Sequence, residues 1–240
     1  IAEGFSIVDE ALRRPRDVLS LLIDEDILDK ASAQIDLAES KAIPVFTTYH
    51  ENFAKFSDTK NPAGIMAVVK RDIDRERKRI YRAIESDNAF IIYVEEIQDP
   101  GNFGSIIRNA EALGAHGVIT GSGTVDITNP KVIRGAMGAH FFIPVVNALE
   151  IGFGLNGFKN RDFRIAATVL DDKALSIWEY KTPDKLLLAF GNEAAGLSDK
   201  VIDIADELLT IPISGKSDSL SVASASAIFI ASLTSQRKVY

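Results

Sequence analysis

Apolar and polar positions alternate along this chain in two successive series of strands and helices. In the first, the apolar-rich run 17–24 (DVLSLLID) reads as a strand. Residues 27–41 carry the spacing of an amphipathic helix, 43–48 (IPVFTT) form a second strand, and 49–57 a short helix. After the breaker NPAG, residues 64–70 (GIMAVVK) give a third strand. The second series opens with AFIIYVEEI (89–97), a continuous apolar run of the kind found in strands buried on both faces. QDPGNFG (98–104) reads as a turn, 105–115 as a helix closed by Gly114, 116–123 as a strand, and 129–139 as a helix with Pro130 in its first turn. The pattern then predicts a strand over 140–146, a helical stretch over 149–159, strands over 163–170 and 185–193, a short helix over 198–206, and a strand over 207–213. A last helix, small and nearly uncharged, covers 219–233. Strands alternating with helices imply an α/β fold with a mostly parallel sheet.

Composition narrows this picture. With 240 residues, 46% hydrophobic and 25% charged, the chain is long enough for one large or two small domains and is not of disordered type. No apolar run approaches twenty residues, so no membrane-spanning helix is expected. The first residues do not form a signal peptide, and absent cysteine suits a cytoplasmic setting. The opening lacks methionine, and residues preceding Ile1 are expected. With no cysteine and three scattered histidines (His50, His116, His140), no metal site is expected.

The net charge of −7 argues mildly against a nucleic-acid partner, but its distribution matters more. Residues 1–69 hold 7 basic and 12 acidic groups, whereas 70–88 hold 7 and 5. The cations of that segment are Lys70, Arg71, Arg75, Arg77, Lys78, Arg79 and Arg82. They admit two readings: a solvated helix of alternating charge, or a set of phosphate contacts. The step in composition marks a division into residues 1–70, a connecting segment 71–88, and residues 89–240.

Three strand ends carry candidate chemistry, because ligands of parallel sheets sit at the carboxyl ends of strands. The first, QDPGNFGSIIR, places Asn102 and Arg108 six residues apart beside Gly101 and Gly104. It is not the G-x-G-x-x-G fingerprint, which weakens a nicotinamide-binding reading. The second, LLLAFGNEAAGL, ends a buried strand in Gly191 and Glu193, with Gly196 beyond. Glu193 suits a hydrogen-bonding site, or a cap on the next helix. The third, IPISGKSDSLSVASAS, leads from a strand through a Ser/Gly loop into the small-residue helix, whose spacing also suits plain close packing.

Together these three stretches resemble the SpoU (TrmH-like) branch of the SPOUT RNA methyltransferases. The family's N-x-G-x-x-x-R is matched by Asn102, Gly104 and Arg108. Its F-G-x-E-x-x-G-L is matched by Phe190, Gly191, Glu193, Gly196 and Leu197. Its I-P-M…S-L-N-V motif is matched by Ile211, Pro212, Ser219, Leu220, Val222 and Ala223, with Ser221 in place of the usual Asn and Ile213 in place of a common Met. The IAEGFSIVDEAL opening and the NPAGIMAVV strand are similar to the small α/β RNA-binding domain, itself like a ribosomal large-subunit protein, that many members carry.

The resemblance implies an α/β-knot fold, with a C-terminal trefoil knot, preceded by the small RNA-binding domain. It implies methyl transfer from S-adenosylmethionine to a ribose 2′-hydroxyl, without a metal. The RNA would be ribosomal (23S-type), with transfer RNA as the alternative substrate, and the protein a cytoplasmic homodimer. Asn102, Arg108, Glu193, Ser219 and Ser221 are the implied catalytic residues. Thr168, Leu170, Gly191, Ile211 and Leu220 are the implied cofactor contacts. A non-catalytic RNA-binding or ribosome-assembly protein that kept the fold is the alternative from another class. A nucleotide-binding enzyme of other chemistry is a third reading.

Overall fold

The computed structural model describes residues 1–14, 17–215 and 219–237. Two sheets form. The first holds β1 (Ala2–Glu3), β2 (Val18–Asp24), β3 (Val45–Thr48) and β4 (Ile65–Val69), in the order β1-β4-β2-β3. β4 runs antiparallel to both β1 and β2, and β2 runs parallel to β3. Leu21 sits between Val45 and Ala67 in register. Period-two alternation therefore turns Leu21, Ile23, Ile65 and Ala67 to one face. There they are buried with Ile7, Val8, Ala11 and Leu12 of α1 (Phe5–Leu12) and Ala38 of α2 (Ser32–Ser40). Phe53 of α3 (His50–Phe56) is also fully buried.

The second sheet has seven strands, all paired in parallel, in the order β7-β6-β5-β10-β8-β11-β9. These are β5 (Phe90–Val94), β6 (Gly117–Thr120), β7 (Val145–Asn147), β8 (Arg164–Thr168), β9 (Leu175–Ser176), β10 (Leu186–Phe190) and β11 (Glu207–Thr210). Both faces are covered, which is why β5 and β10 read as unbroken apolar runs. Phe90, Ile92, Val94, Leu186, Leu188 and Phe190 meet α5 (Pro100–Ala112), α6 (Pro130–Ala136) and α9 (Val222–Ser235). Ile91, Tyr93, Leu187 and Ala189 meet α4 (Ile73–Glu85), α7 (Asn156–Lys159) and α8 (Asp199–Ile204). Phe190 and Phe229 pack edge-on with ring centres 5.9 Å apart. Such a pair contributes roughly 1 kcal/mol beyond its burial and holds α9 against β10.

Helix α4 joins the two sheets through hydrogen bonds as well as sequence. Arg75 donates to both carboxylate oxygens of Asp17, at 2.5 and 2.6 Å, just ahead of β2. From the same helix Arg79 donates to the Phe142 carbonyl and pairs with Glu76 at 2.9 Å, while Tyr81 donates to the Ile151 carbonyl. Just before it, Arg71 reaches the Val145 carbonyl at 3.3 Å and Glu150 at 3.6 Å. Four of the segment's polar side chains are thus occupied in holding the two layers. Lys70, Lys78 and Arg82 remain exposed.

Three local expectations change. QDPGNFG is not a turn preceding a helix: α5 already begins at Pro100, with Asp99 as its N-cap accepting the Asn102 N–H at 2.7 Å. Asp followed by Pro is a helix-start signal, and it outweighs the two glycines. The strand expected over 140–146 shrinks to Val145–Asn147, because 139–141 form a 3-10 turn after Met137 enters the left-handed region. The apolar Phe141 there packs on the core of the first sheet instead. The helix expected over 149–159 is confined to Asn156–Lys159, following Gly152 at φ +72°. Among the described residues no helix is long and apolar enough to cross a membrane.

Candidate active site

The strand order reverses between β5 and β10. From β5 the chain proceeds outward to β6 and β7, then returns to build β8, β10 and β11 on the other side. Parallel sheets bind ligands outside the carboxyl ends of strands at such a point. Next to that point, at the carboxyl ends of β8, β10 and β11, lies a cavity of about 350 Å³. Its wall includes Thr168 and Leu170 beyond β8, Gly191 and Glu193 beyond β10, Ile211 beyond β11, and Leu220 before α9. All five residues implied as cofactor contacts therefore converge, although the chain brings them from 168 to 220.

Each arrives for a local reason. Thr168 donates to the Ala189 carbonyl at 2.9 Å, which fixes the end of β8 against β10. Gly191 faces the backbone of Gly196 and Leu197 so closely that a Cβ would collide with both. Gly196, at φ +73°, lets the chain turn back so that Asn192 and Gly196 exchange backbone hydrogen bonds at 2.9 Å. The Asn192 side chain accepts from Ala194 N–H at 2.8 Å and Ala195 N–H at 3.0 Å and donates to the Glu96 carbonyl at 2.9 Å. Asn192 thus takes the free N–H groups of the turn, the next helix has Ser198 at its N-cap, and Glu193 is left for the site.

Glu193 accepts a hydrogen bond from the Asn102 side-chain amide. The first and second motifs meet in this pair, at the rim of the cavity. Asn102 is held there by the Asp99 cap on the first turn of α5. Further along that helix, Gly104 permits close approach to α6: a Cβ on it would lie 2.7 Å from the Val132 carbonyl oxygen. Asn109 then donates to the Ala223 carbonyl at 3.0 Å and the Ser226 hydroxyl at 2.9 Å, joining α5 to α9.

Arg108 is not brought to this pair. It lies six residues along α5 from Asn102, about 240° around the helix axis at 100° per residue, and it is exposed. Ser219 is exposed as well and does not line the cavity. Ser221 serves as the N-cap of α9, its hydroxyl accepting the Ser224 N–H at 3.2 Å. Asn and Ser are comparable caps, so the substitution at this motif position keeps the helix start intact. Residues 216–218 of the Ser/Gly loop lie outside the described residues.

Sequence reasoning passed over Asp99, Asn109 and Asn192. The signal for Asp99 was its position before Pro100. Asn109 reaches residues 223 and 226, and Asn192 ties its own turn to Glu96, 96 positions away; no local pattern reveals these distant partners.

The cavity wall is chemically one-sided. Ile211, Ile213, Leu220, Val222 and Phe229 provide apolar surface, and among the described lining residues Glu193 is the one charged side chain. Such a wall suits a planar, apolar ring edged by backbone hydrogen bonds, together with positive charge. Among the described lining residues it offers no cationic side chain for a phosphate.

Residues 89–231 match the SpoU rRNA Methylase family, and residues 1–73 match RNA 2'-O ribose methyltransferase substrate binding. The chain is 30% identical to the 23S rRNA (guanosine(2553)-2'-O)-methyltransferase RlmP of Bacillus subtilis, over 96% of this chain and 86% of that protein. The SpoU methyltransferase AviRb of Streptomyces viridochromogenes, solved in complex with AdoMet, has the same fold. Its TM-score is 0.79 at 24% identity, over 98% of this chain and 88% of that one. A solved RNA 2'-O ribose methyltransferase gives a TM-score of 0.76 at 26% identity, over 98% and 87% of the two chains. Fold, motif geometry and the extent of these matches agree: the chain belongs to the SpoU rRNA methylase family.

Proposed function

We propose that this protein methylates a ribose 2′-hydroxyl in ribosomal RNA of the large subunit, using S-adenosylmethionine. The observation that carries the reading is the convergence of Thr168, Leu170, Gly191, Ile211 and Leu220 on one cavity beside the Asn102–Glu193 pair. The apolar wall fits an adenosine ring, and Glu193 fits a cationic ligand better than the phosphates of a dinucleotide or ATP. When bound, the cofactor supplies a methyl carbon on a sulfonium, a good leaving group that needs no metal.

The residues of the chain then have alignment and charge to manage. Asn102 and Glu193 orient the ribose hydroxyl at the cavity rim, and alignment alone can contribute several kcal/mol. The hydroxyl proton must leave as the new O–C bond forms. A guanidinium is no general base, so Arg108 has another task. It holds the neighbouring phosphate and stabilises the developing alkoxide, and water takes the proton. Ser219, exposed at the start of the last helix, contacts the RNA, and Ser221 holds that helix start.

Arg108 and the Asn102–Glu193 pair lie on different sides of α5. A homodimer in which Arg108 serves the partner's cavity resolves this separation. Mixing Arg108→Ala with a cavity variant, Gly191→Leu, should then restore activity that neither variant has alone. A protein that sediments as a monomer at micromolar concentration would end the dimer reading.

We assign residues 1–70 to RNA capture, 71–88 to a connecting helix and 89–240 to methyl transfer, a division that the two family matches support. An RNA substrate of this class places the reaction in the cytoplasm. The test of the whole reading is a methyl-transfer assay on deproteinised large-subunit RNA, with the modified ribose mapped by its resistance to alkaline cleavage. Tight RNA binding with no transfer would favour the non-catalytic alternative.

A further inference from the structure

Glu95 follows β5 and is buried, with 4% of its surface exposed. A carboxylate in that position is costly unless protein groups replace its water. Two do. The Ser198 N–H donates to it at 2.5 Å and the Tyr93 hydroxyl approaches it at 3.4 Å. Burial, with Glu95 adjacent, pushes the Tyr93 phenol up to about 12, so it stays a donor through the neutral range. The Glu95 backbone N–H meanwhile donates to the Phe190 carbonyl at 3.0 Å.

One residue thus grips both ends of a single loop. Phe190 precedes Gly191, and Ser198 follows Leu197. The segment between them, 191–197, forms one wall of the cavity and carries Glu193. Glu95 itself does not line the cavity. The next residue, Glu96, adds a third hold, since its carbonyl accepts from the Asn192 side chain.

We infer that Glu95 is a positioning residue for cofactor binding: by clamping Phe190 and Ser198 to the end of β5, it sets how the 191–197 loop closes on the cavity. The inference rests on S-adenosylmethionine as the ligand. It assigns Glu95 no contact with cofactor or RNA.

The test is calorimetric titration of S-adenosylmethionine into the full chain, with thermal unfolding of each variant recorded alongside. Glu95→Ala removes the acceptor and should raise the Kd at least about tenfold, as loss of a charge-assisted hydrogen bond can. Glu95→Gln retains a carbonyl that accepts the Ser198 N–H and should stay within about threefold of the parent. A purely structural role would lower the unfolding temperature of Glu95→Ala and leave the Kd of the folded protein unchanged. That result would overturn the inference, as would equal weakening by Gln and Ala. Should Glu95→Ala fail to fold, Ser198→Pro decides. Ser198 has φ −64°, which proline adopts, so the change deletes the donor with little backbone strain. A Kd raised about tenfold upholds the clamp, and an unchanged Kd refutes it. Failure of the parent protein to bind S-adenosylmethionine would instead overturn the cofactor reading.

Discussion

Helices α4 and α5 put their arginines to opposite uses. On α4, Arg75 is bound bidentately by Asp17, and Arg79 is held between Glu76 and the Phe142 carbonyl. On α5, Arg108 stands exposed. Helix α4 therefore spends two of its arginines on internal acceptors, whereas α5, poorer in cations, leaves its one arginine exposed. A guanidinium has five donors in a fixed fork and locks wherever acceptors match that fork. The number of cations in a segment accordingly overstates the charge it presents to RNA.

The largest effect that tests this contrast is at the free arginine. Arg108→Ala should lower the methylation rate at least about a hundredfold, as removal of one electrostatic stabiliser can. Affinity for S-adenosylmethionine should hold, because Arg108 does not line the cavity. Near-normal turnover would erase the distinction between the two helices.

The next effect is on stability. Arg75→Ala leaves Asp17, itself buried, without its partner, and should cost about 2 kcal/mol of unfolding free energy. That is less than a fully buried pair because the Arg75 side chain is 28% exposed. Denaturant titration measures it, and a loss below about 0.5 kcal/mol would mean the pair is ornamental. The hydrogen bond to Asp17 raises the Arg75 pKa further, so the pair persists at alkaline pH.

A third test separates the cations within α4. Lys78→Ala with Arg82→Ala should flatten the salt dependence of RNA binding by up to about one unit per lost phosphate contact. Arg79→Ala should leave that slope unchanged, its charge being engaged with Glu76. Equal slopes for both variants and the parent would move the RNA contact off this helix.

The smallest effect concerns a paired but exposed group. His50 Nδ1 lies 2.6 Å from the buried Asp24 carboxylate, and that hydrogen bond raises the histidine pKa. A pKa raised in the folded state means the stabilisation is complete below the unfolded value. It disappears as pH rises through the folded value. His50→Gln should lower the Tm at about pH 5.5 and leave it nearly unchanged at about pH 9. A deficit of equal size at both would show that charge is not involved.

Much of the second layer was legible because a strand buried on both faces leaves a plain record. AFIIY and LLLAF are such strands, and β5 and β10 pair in register from Leu186 and Phe90 onward. Helix starts were read less well where two signals competed. Gly101 and Gly104 suggested a turn, yet Asp99 and Pro100 begin a helix through both. Gly104 turns out to serve the approach of α6, a purpose that involves residues 132–136. Five residues were singled out as cofactor contacts from motif resemblance, and all five line the cavity. Asn192 lay inside the same motif unnoticed, since its side chain works on residues 96, 194 and 195 at once.

What the sequence by itself determined is the run of alternating elements, the parallel character of the second sheet, and which short stretches carry chemistry. Those follow from side-chain periodicity and from residue types, which are properties of neighbours along the chain. Tertiary structure alone decided which of the seven cations of residues 70–88 stay free, that Asn102 meets Glu193 across 91 positions, and that Glu95 bonds Ser198 a hundred residues later. These depend on where a donor finds an acceptor in three dimensions. A buried polar group must find one, and the distance along the chain does not limit which it is.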